Sequence, residues 1–399
     1  MRATLPVILT VALSAVSAGA GAQTKQIIHT GAVAGLPFSP AVKAGQFIYV
    51  SGTIGLKGSG SNAPLAPGID GQTRQALENI STVLKAAGSS LADAVSVTVY
   101  LKHQADFQAM NAAYATFWPQ DPPTRTTVVT ELARPDALVE ISMIAVPHGA
   151  QRRIIRPDGW RESPFPYSYA IKSGDTLFLS GLVSRDVKTN TPVSGDISVQ
   201  ARTILEHAGE LLDAAGFTYR DVVQSRVFLP DKANFRAFNA VYTSVFTPPP
   251  PARAAVQAAL SSPDHLVEIT LVAVQGGDKK FRAQLNPDGT PGRPNPILSA
   301  SVQVADRLYT SGTPGGVPPG DVTASTRDAL ARLGRSLKAA GLDWANVVDA
   351  IVYLKDIKQF AALNAAYREV FKKDFPARTT VQAPGMGPSD LEIMLTAVR

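Results

Sequence analysis

The stretch that decides the fold is FQAMNAAYATFWPQDPPTRTTVVTELARPDALVEISMIAV, residues 107–146. It contains a helical segment ended by prolines, an arginine that opens a β-rich run, and a second β-rich run. The same stretch returns at 235–274, where 18 of 40 positions are identical without a gap. A third copy has its arginine at Arg378, in FPARTTV. The 399-residue chain therefore carries three tandem copies of a unit of roughly 125 residues.

A small set of residues recurs while most positions between the copies differ. An asparagine stands 14 residues before each arginine, a glutamate follows it by 15, 15 and 14 residues, and a Ser-Gly pair closes an apolar run upstream. The recurring residues are Asn111, Asn239 and Asn364; Arg125, Arg253 and Arg378; Glu140, Glu268 and Glu392; and Ser51-Gly52, Ser180-Gly181 and Ser311-Gly312.

Each unit has the pattern of an α+β domain. An amphipathic helix follows the Ser-Gly pair, and its apolar residues recur at spacings of three and four, as at Leu77, Ile80 and Leu84. The order predicted is strand, strand, helix, strand, helix, strand, strand, which favours one mixed β-sheet with two helices on one face. Alternation in LVEISMIAV places Glu140 on the face away from the helices. That face keeps apolar members, so we expect three sheets to bury these faces against one another in a closed three-fold arrangement within one chain.

The predicted boundaries are a signal peptide at 1–22 and three domains at 23–148, 149–276 and 277–399. The signal peptide rests on Arg2, an apolar run from Leu5 to about Ala18, and AGA before Gln23. The alternative is a buried N-terminal helix. A signal peptide predicts a periplasmic or secreted protein that has no membrane contact after cleavage.

Composition excludes several kinds of site. The chain has no cysteine, and none of its five histidines stands at ligand spacing from another, so we predict no metal and no other cofactor. The net charge of +6 is modest for the length and mixed in sign along the chain, which argues against nucleic acid as a partner.

The recurring arginines have two interpretations. One is a structural ion pair between each arginine and a glutamate on an adjacent strand. The other is an anion site, because a guanidinium matches a carboxylate and small residues two positions beyond would leave a backbone N–H accessible. Those residues are Thr127, Ala255 and Thr380. A nearby glutamate could then accept a proton from water.

Taken together, these motifs resemble the reactive intermediate deaminase (Rid) family, also called the endoribonuclease L-PSP family. The resemblance rests on PFSPAVKAGQFIYVSG, QTRQALENISTVLKAAG, DAVSVTVYLKHQADFQAMNAAY and PPTRTTV…LVEISMIAV, and it extends over nearly all of 23–399 three times. It implies a chorismate-mutase-like α+β fold, trimers around a β-barrel, and pockets between subunits. It also implies hydrolysis of 2-imino acids or their enamine tautomers to 2-keto acids and ammonia. Here the three copies would form a monomeric single-chain pseudo-trimer with three interdomain pockets and a small carboxylate substrate.

The resemblance also implies roles for individual residues. The arginines would bind the substrate carboxylate, and the glutamates would place or activate water. Substrate binding would involve the Ser-Gly turns, the helix asparagines and the positions two beyond the arginines. The family often has a tyrosine 13 residues before the Ser-Gly serine; Tyr167 fills that position in copy two, but Phe38 and Leu298 fill it in the others. We therefore expect copy two to carry the most family-like set, with neighbouring copies contributing to each pocket.

Two other functions use the same residues differently. A non-catalytic module that binds small carboxylates or a partner needs the arginine but not the glutamate. A ribonuclease is less favoured, because no histidine recurs at equivalent positions in the three copies.

Overall fold

The computed structural model describes residues 25–30, 35–60 and 62–399. The predicted signal peptide at 1–22 lies outside this part of the chain. Among the residues described, no helix has both the length and the apolar character needed to cross a membrane.

Three units of the same architecture follow one another. The first contains β1 (Gln26–Ile28), β2 (Ala41–Ala44), β3 (Phe47–Ile54), α1 (Gly68–Ala86), β4 (Ala94–Leu101), α2 (Phe107–Ala115), β5 (Thr124–Val129) and β6 (Val139–Ala145). The second contains β7 (Arg153–Ile155), β8 (Ala170–Ser173), β9 (Thr176–Leu179), α3 (Ile197–Ala214), β10 (Val222–Leu229), α4 (Phe235–Val245), β11 (Ala252–Gln257), β12 (Ala259–Leu260) and β13 (Glu268–Val274). The third contains β14 (Lys280–Arg282), β15 (Ser301–Val304), β16 (Arg307–Thr310), β17 (Thr313–Pro314), α5 (Val322–Ala339), β18 (Val347–Leu354), α6 (Phe360–Val370), β19 (Ala377–Gln382) and β20 (Leu391–Val398).

Each unit is an α+β domain with a mixed sheet. In the first, the strand order is β1-β2-β3-β6-β4-β5, and β4–β5 is the parallel pair. Val139, Ile141, Met143 and Ala145 pack with apolar residues of α1 in one buried cluster, so the predicted inward face is confirmed. Because side chains alternate along a strand, Glu140 lies on the opposite face.

The expected strand count was one too low at the start of the unit. Before α1 the structure has three strands, because AVKA forms β2 and pairs with β3. Gly45, in the tight turn between these strands, has φ of +56°, a backbone conformation that glycine adopts without steric cost. The sequence pattern does not predict β2, because four residues are too few to display alternation.

The three domains close into a ring within the chain. β5 of the first domain pairs with β12 of the second, through Val128 opposite Leu260. Val256 of the second bridges to Gly385 of the third, and Val381 of the third bridges back to Leu132 of the first. One set of contacts therefore repeats at all three boundaries, which makes the chain a pseudo-trimer.

The sheet faces away from the helices meet at the centre of the ring. One buried cluster there combines residues of all three domains, including Tyr100, Phe228 and Tyr353 at matching strand positions. Burial of these large rings is a main source of stabilisation, since truncating one buried aromatic costs about 3–5 kcal/mol. The domain boundaries are thus parts of a shared core, and groups held there keep a fixed geometry.

Candidate active sites between the domains

The three recurring arginines lie at the start of β5, β11 and β19. These strands pair in parallel with β4, β10 and β18. Arg125, Arg253 and Arg378 are 4%, 3% and 2% exposed, so they are not surface residues beside proline-rich loops. The helices before them end at Ala115, Val245 and Val370, ahead of the first proline that follows, so the prediction that the prolines end the helix is wrong. A proline instead stands directly before each of the three strands. Each guanidinium lies in the interior, where a buried charge is unfavourable unless hydrogen bonds or an opposite charge stabilise it.

Each guanidinium is held by the asparagine of its own domain. Arg125 Nη2 donates to Asn111 Oδ1 at 2.6 Å, and Arg378 Nη2 donates to Asn364 Oδ1 at 2.6 Å. Arg253 Nη1 donates to Asn239 Oδ1 at 2.9 Å. The predicted association of these residues is thus seen in every copy, and it orients each guanidinium from the helix.

A tyrosine that the sequence reasoning missed completes each arginine site. The guanidinium carbon lies 4.8, 4.7 and 4.8 Å from a ring centroid, close enough for cation–π attraction. The rings belong to Tyr114, Tyr242 and Tyr367. The signal was present, since a tyrosine stands three residues after the asparagine in all three copies.

Every arginine is also fixed by the next domain around the ring. The backbone N–H of Arg125 donates to Ser180 Oγ at 3.0 Å, and that of Arg253 to Ser311 Oγ at 2.7 Å. The N–H of Arg378 donates to Ser51 Oγ at 2.8 Å, which returns to the first domain. Each pocket thus combines the arginine of one domain with the Ser-Gly turn of its neighbour.

We name the pockets by their arginines in chain order. The first pocket joins Arg125 with Glu268, the second joins Arg253 with Glu392, and the third joins Arg378 with Glu140. The residues of copy two are consequently divided between two pockets: Tyr167, Ser180 and Gly181 belong to the first, whereas Asn239 and Ala255 belong to the second. No pocket is formed by the copy-two set alone.

The glycines of the Ser-Gly pairs have a structural role that differs from the substrate-binding role that the resemblance implies. The N–H of Gly181 donates to the carbonyl of Arg125 at 3.1 Å, and that of Gly312 to the carbonyl of Arg253 at 3.2 Å. These two N–H groups are therefore engaged within the protein. A Cβ at Gly52, Gly181 or Gly312 would overlap the carboxyl group of the glutamate in the same pocket. Glycine is needed so that the carboxyl group can lie against the turn.

The three glutamates are acids with unusual protonation; Glu140 and Glu268 are buried and Glu392 is half-buried. Burial raises the pKa of Glu140 and Glu268 to about 8 and that of Glu392 to about 7, while the facing arginine lowers each pKa in part. In the first pocket the N–H of Thr127 also donates to Glu268 Oε1 at 3.1 Å. No glutamate–arginine ion pair is found in the described part of the chain at these sites, so the structural ion pair considered above does not account for the arginines.

Some guanidinium donors remain without a protein acceptor. Among the described residues, Arg125 Nη1, Arg253 Nε, and both Nε and Nη1 of Arg378 are buried and make no hydrogen bond. Burial lowers the pKa of Arg378 to about 10, so this residue is still cationic near neutrality. Such donors suit an anion, because a buried charge is stabilised by hydrogen bonds from an opposite charge.

The position of the family tyrosine lies beside the arginine in two pockets. Tyr167 places its ring centroid 5.8 Å from the Arg125 guanidinium carbon, and Phe38 places its own 5.3 Å from that of Arg378. Leu298 is half-buried at the matching position of the second pocket. Thr380 Oγ1, two positions beyond Arg378, is buried without a partner among the residues described.

The third pocket opens into a cavity of about 410 Å³, within the range of ligand sites. Arg378, Glu140 and Thr380 line it together with Ser51 and Gly52. The remaining wall is mainly apolar and includes Phe38, Ile54, Leu56, Val83 and Phe360. A polar end with a cation and an acid thus faces an apolar lobe.

Known proteins match the chain in three separate stretches, one for each domain. The profile described as Endoribonuclease L-PSP matches residues 29–147, 161–275 and 293–399. A RutC family protein of Sulfurisphaera tokodaii is 44% identical over 111 residues, which are 28% of this chain and 89% of that protein. The 3-aminoacrylate deaminase RutC of Acinetobacter baylyi is 38% identical over 31% of this chain and 97% of its own length. The human 2-iminobutanoate/2-iminopropanoate deaminase is 37% identical over 28% of this chain and 81% of its own length.

Each relative therefore corresponds to one of the three domains. Because the family profile covers most of the chain in three separate matches, the protein belongs to the endoribonuclease L-PSP family and contains three family domains in tandem.

Proposed function

We propose that this protein hydrolyses carboxylate-bearing imines, or their enamine tautomers, to 2-keto acids and ammonia. The observation that carries the proposal is the pairing, across each domain boundary, of a buried arginine that has unused N–H donors with a glutamate that titrates near neutrality. The deaminase names of two relatives support the same reaction class.

The arginine would bind the substrate. In the third pocket, Nε and Nη1 of Arg378 lack partners among the described residues, while Nη2 is held by Asn364. A carboxylate placed there gains charge-assisted hydrogen bonds, each worth about 1.5–3 kcal/mol. The apolar wall would take the side chain of the substrate, so the imine carbon comes to lie between the two ends of the cavity.

The glutamate would move the protons. Water attacks the imine carbon, and the carboxylate of Glu140 accepts a proton from that water as the C–O bond forms. The carboxyl group returns this proton to the nitrogen, which gives a neutral carbinolamine. The carboxylate then takes the hydroxyl proton of the carbinolamine and passes it to the amine, so that the C–N bond breaks, ammonia leaves and the carbonyl of the keto acid forms. A group with a pKa of about 8 can perform both transfers near neutral pH, since its two protonation states are both populated.

The experiment that tests this function is ammonia release from imino acids made in situ by an amino-acid oxidase. The variant carrying Glu140→Gln, Glu268→Gln and Glu392→Gln serves as the matched control, because each glutamine keeps the shape of the acid. We expect the native protein to accelerate release and the triple variant to lose at least about 10²-fold of that acceleration.

Calorimetric titration with a 2-keto acid separates deamination from simple binding. Binding by both proteins, with acceleration by the native protein alone, supports the deaminase. A folded native protein that binds the keto acid but does not accelerate release would instead support the carboxylate-binding module.

A further inference from the structure

The first and third pockets have matching walls, which allows a position-by-position comparison. The matching is fixed by a shared contact: the side-chain oxygens of Gln72 and Gln200 accept from Leu138 N and Leu266 N at 2.8 and 2.9 Å. Counting along α1 and α3 from these two residues makes Asn79 equivalent to His207 and Thr82 equivalent to Glu210. Counting back from the Ser-Gly serines makes Pro40 equivalent to Tyr169.

These three positions line an open cavity in the third pocket, whereas in the first pocket they surround a tryptophan. Pro40, Asn79 and Thr82 line the cavity of about 410 Å³ in the third pocket. In the first pocket, Trp160 packs between their equivalents. Its ring lies 5.0 Å from that of Tyr169 and 5.2 Å from that of His207, and its Nε1 donates to Glu210 Oε2 at 2.8 Å.

The tryptophan leaves little room beside Tyr167, whose ring centroid lies 5.8 Å from the Arg125 guanidinium carbon. Trp160 is 6% exposed, and the cavity that it lines with Tyr167, Val183 and Arg185 measures about 10 Å³. Edge-on ring contacts on two sides and a hydrogen bond to a carboxylate fix the indole in place. It is therefore a wall of the pocket.

We propose that Trp160 determines the substrate size of the first pocket, restricting it to carboxylate imines with the shortest side chains, whereas the third pocket takes those with long apolar side chains. The inference rests on the proposed function, because it concerns the substrates of that reaction. One chain thus holds two sites with the same polar groups and opposite size preferences.

The test isolates the first pocket by combining Glu140→Gln with Glu392→Gln. In this background, kcat/KM is measured for the imines formed from alanine and from leucine, with and without Trp160→Ala. We expect the parent to prefer the alanine-derived imine by at least about 10²-fold. Trp160→Ala should raise kcat/KM for the leucine-derived imine at least about 10-fold and change that for the alanine-derived imine only a few-fold.

The reciprocal variant fills the third pocket. Leu56→Trp, made in the background of Glu268→Gln and Glu392→Gln, should lower kcat/KM for the leucine-derived imine at least about 10-fold more than that for the alanine-derived imine. Trp160→Phe, which keeps a ring but removes the hydrogen bond to Glu210, covers the case in which the alanine variant does not fold. The inference is overturned if folded Trp160 variants leave the ratio of the two kcat/KM values unchanged.

A binding readout distinguishes failure of this inference from failure of the proposed function. Calorimetry with 4-methyl-2-oxopentanoate on the otherwise native chain should give a stoichiometry higher by one site in Trp160→Ala than in the parent. If no imine is deaminated but this extra site appears, the proposed function fails and the size determinant stands. An unchanged stoichiometry in the folded variant rejects the size determinant whatever the enzymatic result.

Discussion

The first and third pockets share their polar groups and differ in their walls. In both, a buried arginine of one domain is hydrogen-bonded to a helix asparagine of the same domain. The neighbouring domain supplies both the buried glutamate and the glycine turn against which it lies. These parts are tied to strand ends and domain boundaries, so they cannot change without disturbing the ring. The walls come from helix faces and from the segment before the hairpin, which tolerate other side chains. The comparison shows that the tandem arrangement keeps the polar groups of a site constant while its walls vary from one pocket to the next.

The second pocket is a third variation on the same site. Gly385 bridges to Val256 as Leu132 bridges to Val381, which makes Met386 equivalent to Ala133. Ala133 lines the open cavity, whereas Met386 is 9% exposed and packs into the core cluster of the second domain with Ala255. The third domain thus places a larger side chain, Met386, at the position that Ala133 occupies beside the open cavity.

The largest effect expected concerns the acid of the open pocket. Glu140→Gln should lower kcat for the leucine-derived imine by about 10²–10⁴-fold, because general acid–base catalysis contributes that much. The matched Glu268→Gln should leave this substrate nearly unaffected, since its pocket excludes it. Steady-state ammonia release measures both. Equal losses in the two variants would break the contrast between the pockets.

The next effect concerns carboxylate binding. Arg378→Lys keeps a charge but loses the planar set of donors, so KM for the leucine-derived imine should rise by about 10- to 100-fold. Arg125→Lys is the control and should leave that KM within about two-fold. A rise in KM with Arg125→Lys as large as that with Arg378→Lys would show that bulky substrates also enter the first pocket.

A smaller effect is expected at the positioning asparagine. Asn364→Ala removes the 2.6 Å hydrogen bond from Arg378 Nη2, which is worth about 1–2 kcal/mol, and should raise KM about 5- to 30-fold while kcat changes less. Asn364→Ser, which retains an acceptor, should recover part of the loss. A fall in kcat at unchanged KM would contradict a positioning role.

The smallest effect is a pH dependence of stability. The pKa of Glu140 is about 8 in the folded chain and near 4.5 when unfolded, so the folded state holds more protons between these values. Its contribution to the unfolding free energy therefore falls as pH rises from about 4.5 to 8 and is constant above. Thermal melting should show the melting temperature of Glu140→Gln rising relative to that of the native protein across that window, by about 1 °C for each kcal/mol.

Glu392→Gln provides a second test in the melting series. The pKa of Glu392 is also raised by burial, to about 7, so Glu392→Gln should likewise gain stability relative to the native protein as pH rises from about 4.5 to 7. A pH-independent difference in melting temperature would show that this carboxyl group is not protonated in the folded chain.

Much of this arrangement is readable from the sequence. Proline and glycine positions, alternation in LVEISMIAV and the triple recurrence of arginine, asparagine and glutamate predicted the domain type, the closed ring and the face that carries Glu140. Recurrence finds what the copies share, and for that reason it could not find Trp160 or Met386, which differ between copies. Nor could spacing reveal that the Gly181 and Gly312 N–H groups bond to arginine carbonyls, since that depends on how neighbouring domains dock.

The closure of the ring has a consequence for how the protein is made. The serine contacts of Arg125 and Arg253 span 55 and 58 residues of chain, whereas the contact between Arg378 and Ser51 spans 327. Each doubling of a closed loop costs about 0.6 kcal/mol of entropy, and distant contacts form late in folding. We therefore expect the third pocket to assemble last, since it requires nearly the whole polypeptide. Turnover of bulky imines during refolding would time the moment at which the first and last domains join.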